Sequence, residues 1–104
     1  MHVYTDYEGR RIRLSEERLA HILEHPEMLG MELTIGQTLS EPERVIESLS
    51  DSQARLYHRF YVGTRVGNKY LCVVVKVLET DAFVVTAYLT DKVKNGRLLW
   101  RRKS

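Results

Sequence analysis

The stretch from residue 69 to residue 100 carries the pattern that most restricts the fold of this chain. Apolar residues dominate two segments, 69–78 and 82–90, and the short turn 79–81 separates them. Because the side chains of a strand point alternately to opposite faces of a sheet, the pattern predicts two paired strands joined by a tight turn. An upstream segment, 54–62, alternates in the same way and predicts a third strand of one meander.

The three predicted strands divide their side chains between two faces of the sheet. The simplest alignment turns the aliphatic residues toward a core beneath the helices. This core face is predicted to hold Phe60, Val73, Val75, Val77, Phe83 and Val85. The second face is predicted to carry Tyr57, Arg59, Tyr61, Lys76, Thr86 and Tyr88. A lysine on an otherwise apolar sheet needs a compensating partner, so the second face is a candidate site.

The second face alternates cations with aromatic rings. A nucleic-acid groove uses this combination, because cations contact phosphates and rings stack on bases. Tyr57 and Tyr61, on either side of Arg59, are therefore candidate RNA-binding residues. The alternative is a plain solvent-exposed sheet face, on which long amphipathic side chains are common. The alternation by itself favours neither interpretation.

Charge is divided unevenly along the chain, although the net charge is only +2. Residues 15–51 carry two basic and nine acidic side chains, whereas residues 52–104 carry eleven basic and three acidic ones. A basic sheet half favours a polyanionic partner such as RNA. The alternative is dimerisation, with the acidic half of one copy against the basic half of another. The C-terminal cations predicted to contact RNA are Lys92, Lys94, Arg97, Arg101 and Arg102.

The order of the predicted elements indicates an α+β fold. A chain of 104 residues has the size of one domain. We predict an N-terminal hairpin in residues 1–14, a helical half in residues 15–51, and a sheet half with a basic tail in residues 52–104. Ser15 is a suitable N-cap for the first helix. The expected architecture is therefore the hairpin and one or two helices packed on one face of a mainly four-stranded antiparallel sheet.

Composition also restricts the class of protein. No apolar run approaches the ~20 residues of a membrane span, and the first residues lack the apolar core of a signal peptide. We therefore predict a cytoplasmic protein without a membrane partner. The single cysteine, Cys72, excludes an internal disulfide and lies within a valine-rich strand, where a buried side chain is expected.

Two histidines are spaced so that they share one face of a helix. The run from His21 to His25 matches the H-x-x-E-H metal pattern. The predicted helix is short, Pro26 follows directly, and no third ligand is evident, so no metal site is predicted. A tiny metal hydrolase using both histidines remains the alternative. His21 could instead act as a general acid or base near neutral pH, or simply belong to a solvated helix face.

The residue types present would suffice for RNA cleavage without a cofactor. The chain has no phosphate-binding glycine motif and no nucleophile elbow. RNA carries its own nucleophile, the 2′-hydroxyl, so an enzyme needs only groups that move protons and stabilise the phosphate. These chemical types are supplied by His21, Arg59, Lys76, Thr86 and Tyr88.

Several motifs resemble those of one nuclease superfamily. They are His21-x-x-x-His25-Pro26, Tyr57-x-Arg59-x-Tyr61, YLCVVVK (70–76), FVVTAYLTDK (83–92) and NGRLLW (95–100). Over residues 15–100 the chain is similar to phage-type members of the barnase, EndoU, colicin and RelE-like (BECR) superfamily. The resemblance implies N-terminal helices against a four-stranded antiparallel sheet, and a metal-independent RNase that is often a toxin or phage-linked effector. It implies site roles for His21, Lys76, Thr86 and Tyr88, and less directly for Arg59.

The sequence therefore predicts an endoribonuclease that cleaves tRNA or mRNA through attack of the 2′-hydroxyl. An antitoxin or immunity protein would be a natural partner of such a toxin. The alternative is a non-catalytic RNA-binding or protein-interaction module of the same fold. An exposed edge strand would also permit a homodimer.

Overall fold

The computed structural model describes residues 1–103 and contains seven strands, two α-helices and a short 3₁₀ helix. The strands are β1 (His2–Thr5), β2 (Arg11–Leu14), β3 (Arg44–Ser48), β4 (Ala54–Thr64), β5 (Gly67–Val77), β6 (Ala82–Thr90) and β7 (Gly96–Arg101). The helices are α1 (Glu16–Ile22), the 3₁₀ helix (Pro26–Met28) and α2 (Glu32–Ser40). Within residues 1–103, no helix is long and apolar enough to cross a membrane.

All seven strands belong to one mixed sheet, in the order β1-β2-β6-β5-β4-β3-β7. Strands β2 and β6 run parallel where Arg13 pairs with Phe83, and every other pairing is antiparallel. The prediction of a mainly four-stranded antiparallel sheet is therefore wrong. The N-terminal hairpin joins the sheet through β2, while β3 and β7 extend the opposite edge. Strands of four to six residues carry little periodic signal, so the sequence predicted the hairpin of β1 and β2 but not its attachment to β6, nor the pairing of β3 and β7 at the opposite edge.

The first helix begins where its capping residue predicts. The Ser15 side chain accepts a hydrogen bond from the Arg18 backbone N–H at 3.1 Å, and Glu16 and Glu17 occupy the first turn. A side-chain oxygen at this position satisfies one of the free N–H groups of the helix start, and the acidic residues favour its positive dipole end. Leu19 is buried against the sheet. Local chemistry therefore sets the start of α1.

The main core lies between the helices and one face of the sheet. Strands β2, β4, β5 and β6 contribute alternating residues to it, and α1 and α2 cover them. A smaller apolar cluster lies on the opposite, helix-free face, where Val93 of the segment 91–95 packs over it. The main cluster includes Ile12, Leu14, Ile22, Met28, Ile35, Leu39, Val45, Tyr57, Leu71, Val73 and Val75, and the smaller one Ile46, Leu56 and Cys72.

The side chains of strand β4 that face the helices are the set opposite to the one predicted. Tyr57 is fully buried in the main core, and Tyr61 packs against the same cluster. Phe60, predicted to be in the core, is 41% exposed. A tyrosine carries both a large apolar ring and a polar hydroxyl, so burial is compatible with it whenever the hydroxyl finds a partner. The alternation was recognised correctly, but the hydrophobicity of the residues did not reveal which face was covered.

The β5–β6 pair follows the prediction except at a bulge. Val73 and Val75 are buried beneath the helices, and Val77 packs against the same core, as expected. The register between the strands shifts at Val75, leaving Val85 outside the pairing. This extra residue reverses the alternation before it, so Phe83 lies on the helix-free face together with Thr86 and Tyr88. Its ring lies 5.0 Å from the Arg13 guanidinium, on the side away from the predicted core.

Gly96, at the start of β7, has no room for a side chain. A Cβ there would overlap the Glu47 carbonyl oxygen and lie 2.5 Å from Cγ2 of Ile46. We expect Gly96→Ala to lower the free energy of unfolding by about 1–3 kcal/mol, because β3 and β7 would have to separate. Urea denaturation measures the loss. The neighbouring, exposed Asn95→Ala should change stability by less than about 0.5 kcal/mol. Equal stability of the two variants would contradict this close approach.

Candidate nucleic-acid interface

The residues predicted to be catalytic are divided between the two sides of the sheet. Lys76, Thr86 and Tyr88 have the register of the smaller apolar cluster and therefore lie on the helix-free face. His21 lies on α1, which packs on the other face, and its side chain is 58% exposed. The structure thus brings three of the predicted groups to one face but does not bring His21 to them.

Lys76 and Tyr88 are already engaged by neighbouring side chains. The Lys76 ammonium forms an ion pair with Asp51, and its hydrogen bond lowers the pKa of that carboxyl. Burial raises the pKa of the Tyr88 phenol, and the neighbouring Cys72 raises it further. Lys94 lies 5.3 Å from the centre of the Tyr88 ring. The lysine charge is therefore partly neutralised, and the phenol holds its proton more firmly than a free tyrosine does.

The three β4 residues proposed for the RNA-binding face lie on the helix side. The Tyr57 hydroxyl donates to Asp6 at 2.6 Å, and the Tyr61 hydroxyl lies 3.0 Å from Thr38 Oγ1 on α2. Arg59 donates to the Glu41 carbonyl at 2.8 Å. Placing these residues together on the helix-free face was wrong, because the core covers the face to which they belong. They attach the helices and the hairpin to the sheet.

The two helix-region histidines point into solvent. His21 Nδ1 lies 3.7 Å from Glu24, and His25 Nδ1 lies 3.8 Å from Glu27. Both imidazoles are more than half exposed. No group of three or more His, Cys, Asp or Glu side chains within residues 1–103 is arranged to hold a metal ion. The pair is therefore part of an acidic, solvated surface.

Four cationic side chains surround a cavity of about 720 Å³, called here the basic cavity. It opens where β3 begins and β7 ends. Antiparallel pairing of these strands sets Arg44 directly opposite Arg101. Arg102 and Lys103 follow β7 along the rim. The complete lining is Glu43, Arg44, Tyr70, Arg101, Arg102 and Lys103.

Arg44 and Arg101 form a cross-strand pair of like charge. Directly opposed like charges destabilise an antiparallel sheet. Among the described residues, no carboxylate forms a salt bridge with either guanidinium. The acidic residue of the cavity lining, Glu43, contacts Arg102 at 3.3 Å and accepts from the Phe60 backbone N–H at 3.0 Å. The cavity therefore combines four cations with one carboxylate that already has partners.

An aromatic pair adjoins the basic cavity. Phe60 and Tyr70 are cross-strand partners on β4 and β5, with ring centroids 5.1 Å apart in an edge-to-face arrangement. Phe60 is 41% exposed, and Tyr70 is part of the cavity lining. Cations and aromatic rings therefore do meet on the helix-free face, at its β3–β7 end.

Sequence reasoning anticipated only part of this site. Arg101 and Arg102, both predicted to bind RNA, lie at the cavity, but Arg44, Phe60 and Tyr70 were not recognised as a group. The alternation of β4 and β5 would have predicted Phe60 and Tyr70 on one face if the core-facing side of β4 had been assigned correctly. Arg44 lies in a segment whose secondary structure was ambiguous, and its position opposite Arg101 depends on long-range pairing.

The remaining predicted RNA-binding cations lie along the segment that crosses the helix-free face. Lys92 and Lys94 line a second, smaller cavity of about 380 Å³. Arg97 is engaged by Glu47 at 2.8 Å. His58 binds the segment 91–95 to the sheet, because its Nε2 accepts a hydrogen bond from the Lys94 backbone N–H at 3.2 Å. Burial lowers the pKa of His58 to about 4, so the ring is neutral near pH 7 and can accept this bond.

Comparisons with protein-family models, with characterised proteins and with solved structures found no match to this chain. The resemblance to the nuclease superfamily therefore stays a prediction from the sequence motifs.

Proposed function

We propose that this protein is an RNA-binding domain and that the basic cavity is its principal RNA contact. The observation that carries the proposal is the cross-strand pair of Arg44 and Arg101, which have no carboxylate partner among the described residues. A phosphate between two guanidinium groups would relieve their repulsion, and the planar fork of arginine matches phosphate geometry. An RNA backbone supplies such phosphates at regular spacing.

The charge distribution supports the same partner. Six cations and no anion occur in residues 92–104. Lys92 and Lys94 extend the positive surface away from the cavity along the helix-free face. Basic surfaces attract RNA over distances of about a Debye length and release counterions when they bind it. A binding strength that falls steeply with salt is therefore part of the proposal.

Cleavage of tRNA or mRNA through the 2′-hydroxyl, as a toxin or phage-linked nuclease would perform it, remains a second candidate. It is supported by Lys76, Thr86 and Tyr88 sharing the helix-free face with the basic cavity. His21 would have to be replaced as the proton-transfer group, since it lies on the other side of the sheet. Incubation of RNA with the protein in EDTA tests this candidate. Cleavage should give products that end in a 2′,3′-cyclic phosphate, and Lys76→Ala should abolish them. A cytoplasmic location likewise stays a prediction.

Removing both cavity arginines should weaken RNA binding strongly. We expect the Arg44→Gln/Arg101→Gln variant to raise the Kd for a labelled RNA oligonucleotide by more than about 100-fold, because a hydrogen bond to a charged group contributes ~1.5–3 kcal/mol and the variant removes two such groups. The slope of log K against log salt should fall by about 1–2, since up to two phosphate contacts are lost. Fluorescence anisotropy at several salt concentrations measures both quantities.

The matched control removes the same charge elsewhere. Arg11 and Arg18 are exposed arginines outside the basic cavity, on β2 and α1. Arg11→Gln/Arg18→Gln should change the Kd by no more than about threefold, because only the long-range field is altered. An equal loss in both double variants would mean that net charge alone attracts RNA. Binding by none of the proteins, or undiminished binding by the cavity variant, would overturn the proposal.

A further inference from the structure

The start of β3, at Arg44, creates a notch in the helix-free face. Register pairing of β3 with β4 begins at Arg44 and His58, so β4 continues beyond it toward Phe60 without a neighbour on that side. The Phe60 backbone N–H is satisfied by the Glu43 carboxylate instead of by a strand. Phe60 and its partner Tyr70 are therefore the first residues of the face beyond the start of β3, and the basic cavity lies in the notch beside them.

Building on the proposed function, we infer that the basic cavity binds single-stranded RNA, with a phosphate between Arg44 and Arg101 and an unpaired base stacked on the Phe60–Tyr70 pair. Base–aromatic stacking needs a free base face, which a strand has when its bases are splayed out and a duplex lacks in its interior. Tyr70 and the cations line one cavity, and Phe60 packs against Tyr70, so a base and a phosphate of the same strand segment can be contacted together.

The geometry of the rings suits a stacking platform. In the edge-to-face arrangement, with an interplanar angle of 69°, one ring packs its edge against the other and leaves flat surface uncovered. Phe60 is 41% exposed, whereas Ile46, Leu56 and Cys72 of the smaller apolar cluster on the same face are buried. The cavity volume of about 720 Å³ falls within the usual range for sites that enclose small ligands, and is large enough for a nucleotide.

The test compares three labelled oligonucleotides of one sequence: a single RNA strand, the same strand annealed to its complement, and the single DNA strand. Phe60→Leu/Tyr70→Leu keeps apolar bulk and charge but removes both rings. We expect it to raise the Kd for single-stranded RNA by about 5–150-fold, the range of one lost stack, and to leave duplex binding within about twofold. Phe83→Leu is the matched control, since it removes an aromatic ring from the same face near β2.

A second readout detects stacking itself. An RNA strand carrying 2-aminopurine should lose fluorescence when it binds the unaltered protein and the Phe83→Leu variant, and should keep it with Phe60→Leu/Tyr70→Leu at saturating protein. Circular dichroism verifies that each variant is folded.

The outcomes separate this inference from the proposed function. Equal affinity for single strand and duplex, with no effect of the leucine pair and no quenching, would overturn the inference while RNA binding stands. No binding of any RNA would overturn both. Equal binding and quenching with the DNA strand would support the stacking site and count against RNA as the specific partner.

Discussion

Replacing Asp6 by alanine is expected to lower the free energy of unfolding by about 3–5 kcal/mol, the usual cost of removing one partner from a buried ion pair. The carboxylate has no exposed surface. It accepts hydrogen bonds from the backbone N–H groups of Glu8 and Arg10 at 2.9 and 2.8 Å, from the Arg10 guanidinium at 2.8 Å, and from the Tyr57 hydroxyl at 2.6 Å. Its loss leaves the Tyr57 hydroxyl and two backbone N–H groups of the hairpin turn without this acceptor, and leaves the Arg10 guanidinium with only the exposed Glu8 carboxylate at 3.3 Å.

Two variants define the source of this loss. Glu8→Ala removes a half-exposed carboxylate of the same turn, which contacts Arg10 at 3.3 Å, and should cost less than about 1 kcal/mol. Tyr57→Phe deletes only one of the four donors and should cost roughly 1 kcal/mol. Urea denaturation monitored by tryptophan fluorescence measures all three. If Asp6→Ala were no more damaging than Glu8→Ala, the buried network would not be what holds the hairpin to β4.

Acid is expected to destabilise the protein through His58 well before the carboxylates titrate. The imidazole is fully buried on the helix-free face, and among the described residues its Nδ1 has no hydrogen-bond partner. Burial lowers its pKa to about 4, whereas an unfolded histidine titrates near its ordinary value of 6.5. Between these pH values the unfolded chain binds more protons than the native one, so stability falls as the pH drops from about 6.5 to about 4.

The expected loss of stability follows from the difference between the pKa of His58 in the folded and unfolded chain. A difference of about 2.5 pKa units corresponds to at most about 3 kcal/mol, fully present above pH 6.5 and lost below pH 4. We expect urea denaturation between pH 7 and pH 4.5 to show a fall in stability that His58→Gln largely removes. His21→Gln, which removes an exposed histidine, should retain the fall. A flat profile in the unaltered protein would contradict the assignment.

The carboxylates titrate in a different window. The pKa values of Asp51, Asp81 and Asp91 are lowered by hydrogen bonds from Lys76, Arg13 and Lys69 respectively. Stability that depends on these ionised groups is present above the ordinary aspartate value and is lost as the pH falls below it. A loss between pH 6.5 and pH 4.5 therefore reports on the histidine.

Local features of this protein could be predicted from the residues alone. The cap at Ser15, the hairpin in residues 1–14 and the alternation in residues 54–62, 69–78 and 82–90 all depend on neighbours a few positions apart. Hydrogen bonds of a helix start and the period of two in a strand are properties of short segments, so they are visible in the sequence. The basic tail was visible as well, and with it Arg101 and Arg102 of the basic cavity.

The tertiary structure alone decided how those segments combine. Tyr57 faces the helices because Asp6, 51 positions earlier in the chain, offers its hydroxyl a buried acceptor. One extra residue at Val85 turns Phe83 away from the core, and β3 joins the sheet only because β4 and β7 flank it. The candidate site has the same origin: Arg44 meets Arg101 through strand pairing across more than half the chain. Such contacts depend on register and on burial of distant partners, which no local pattern encodes.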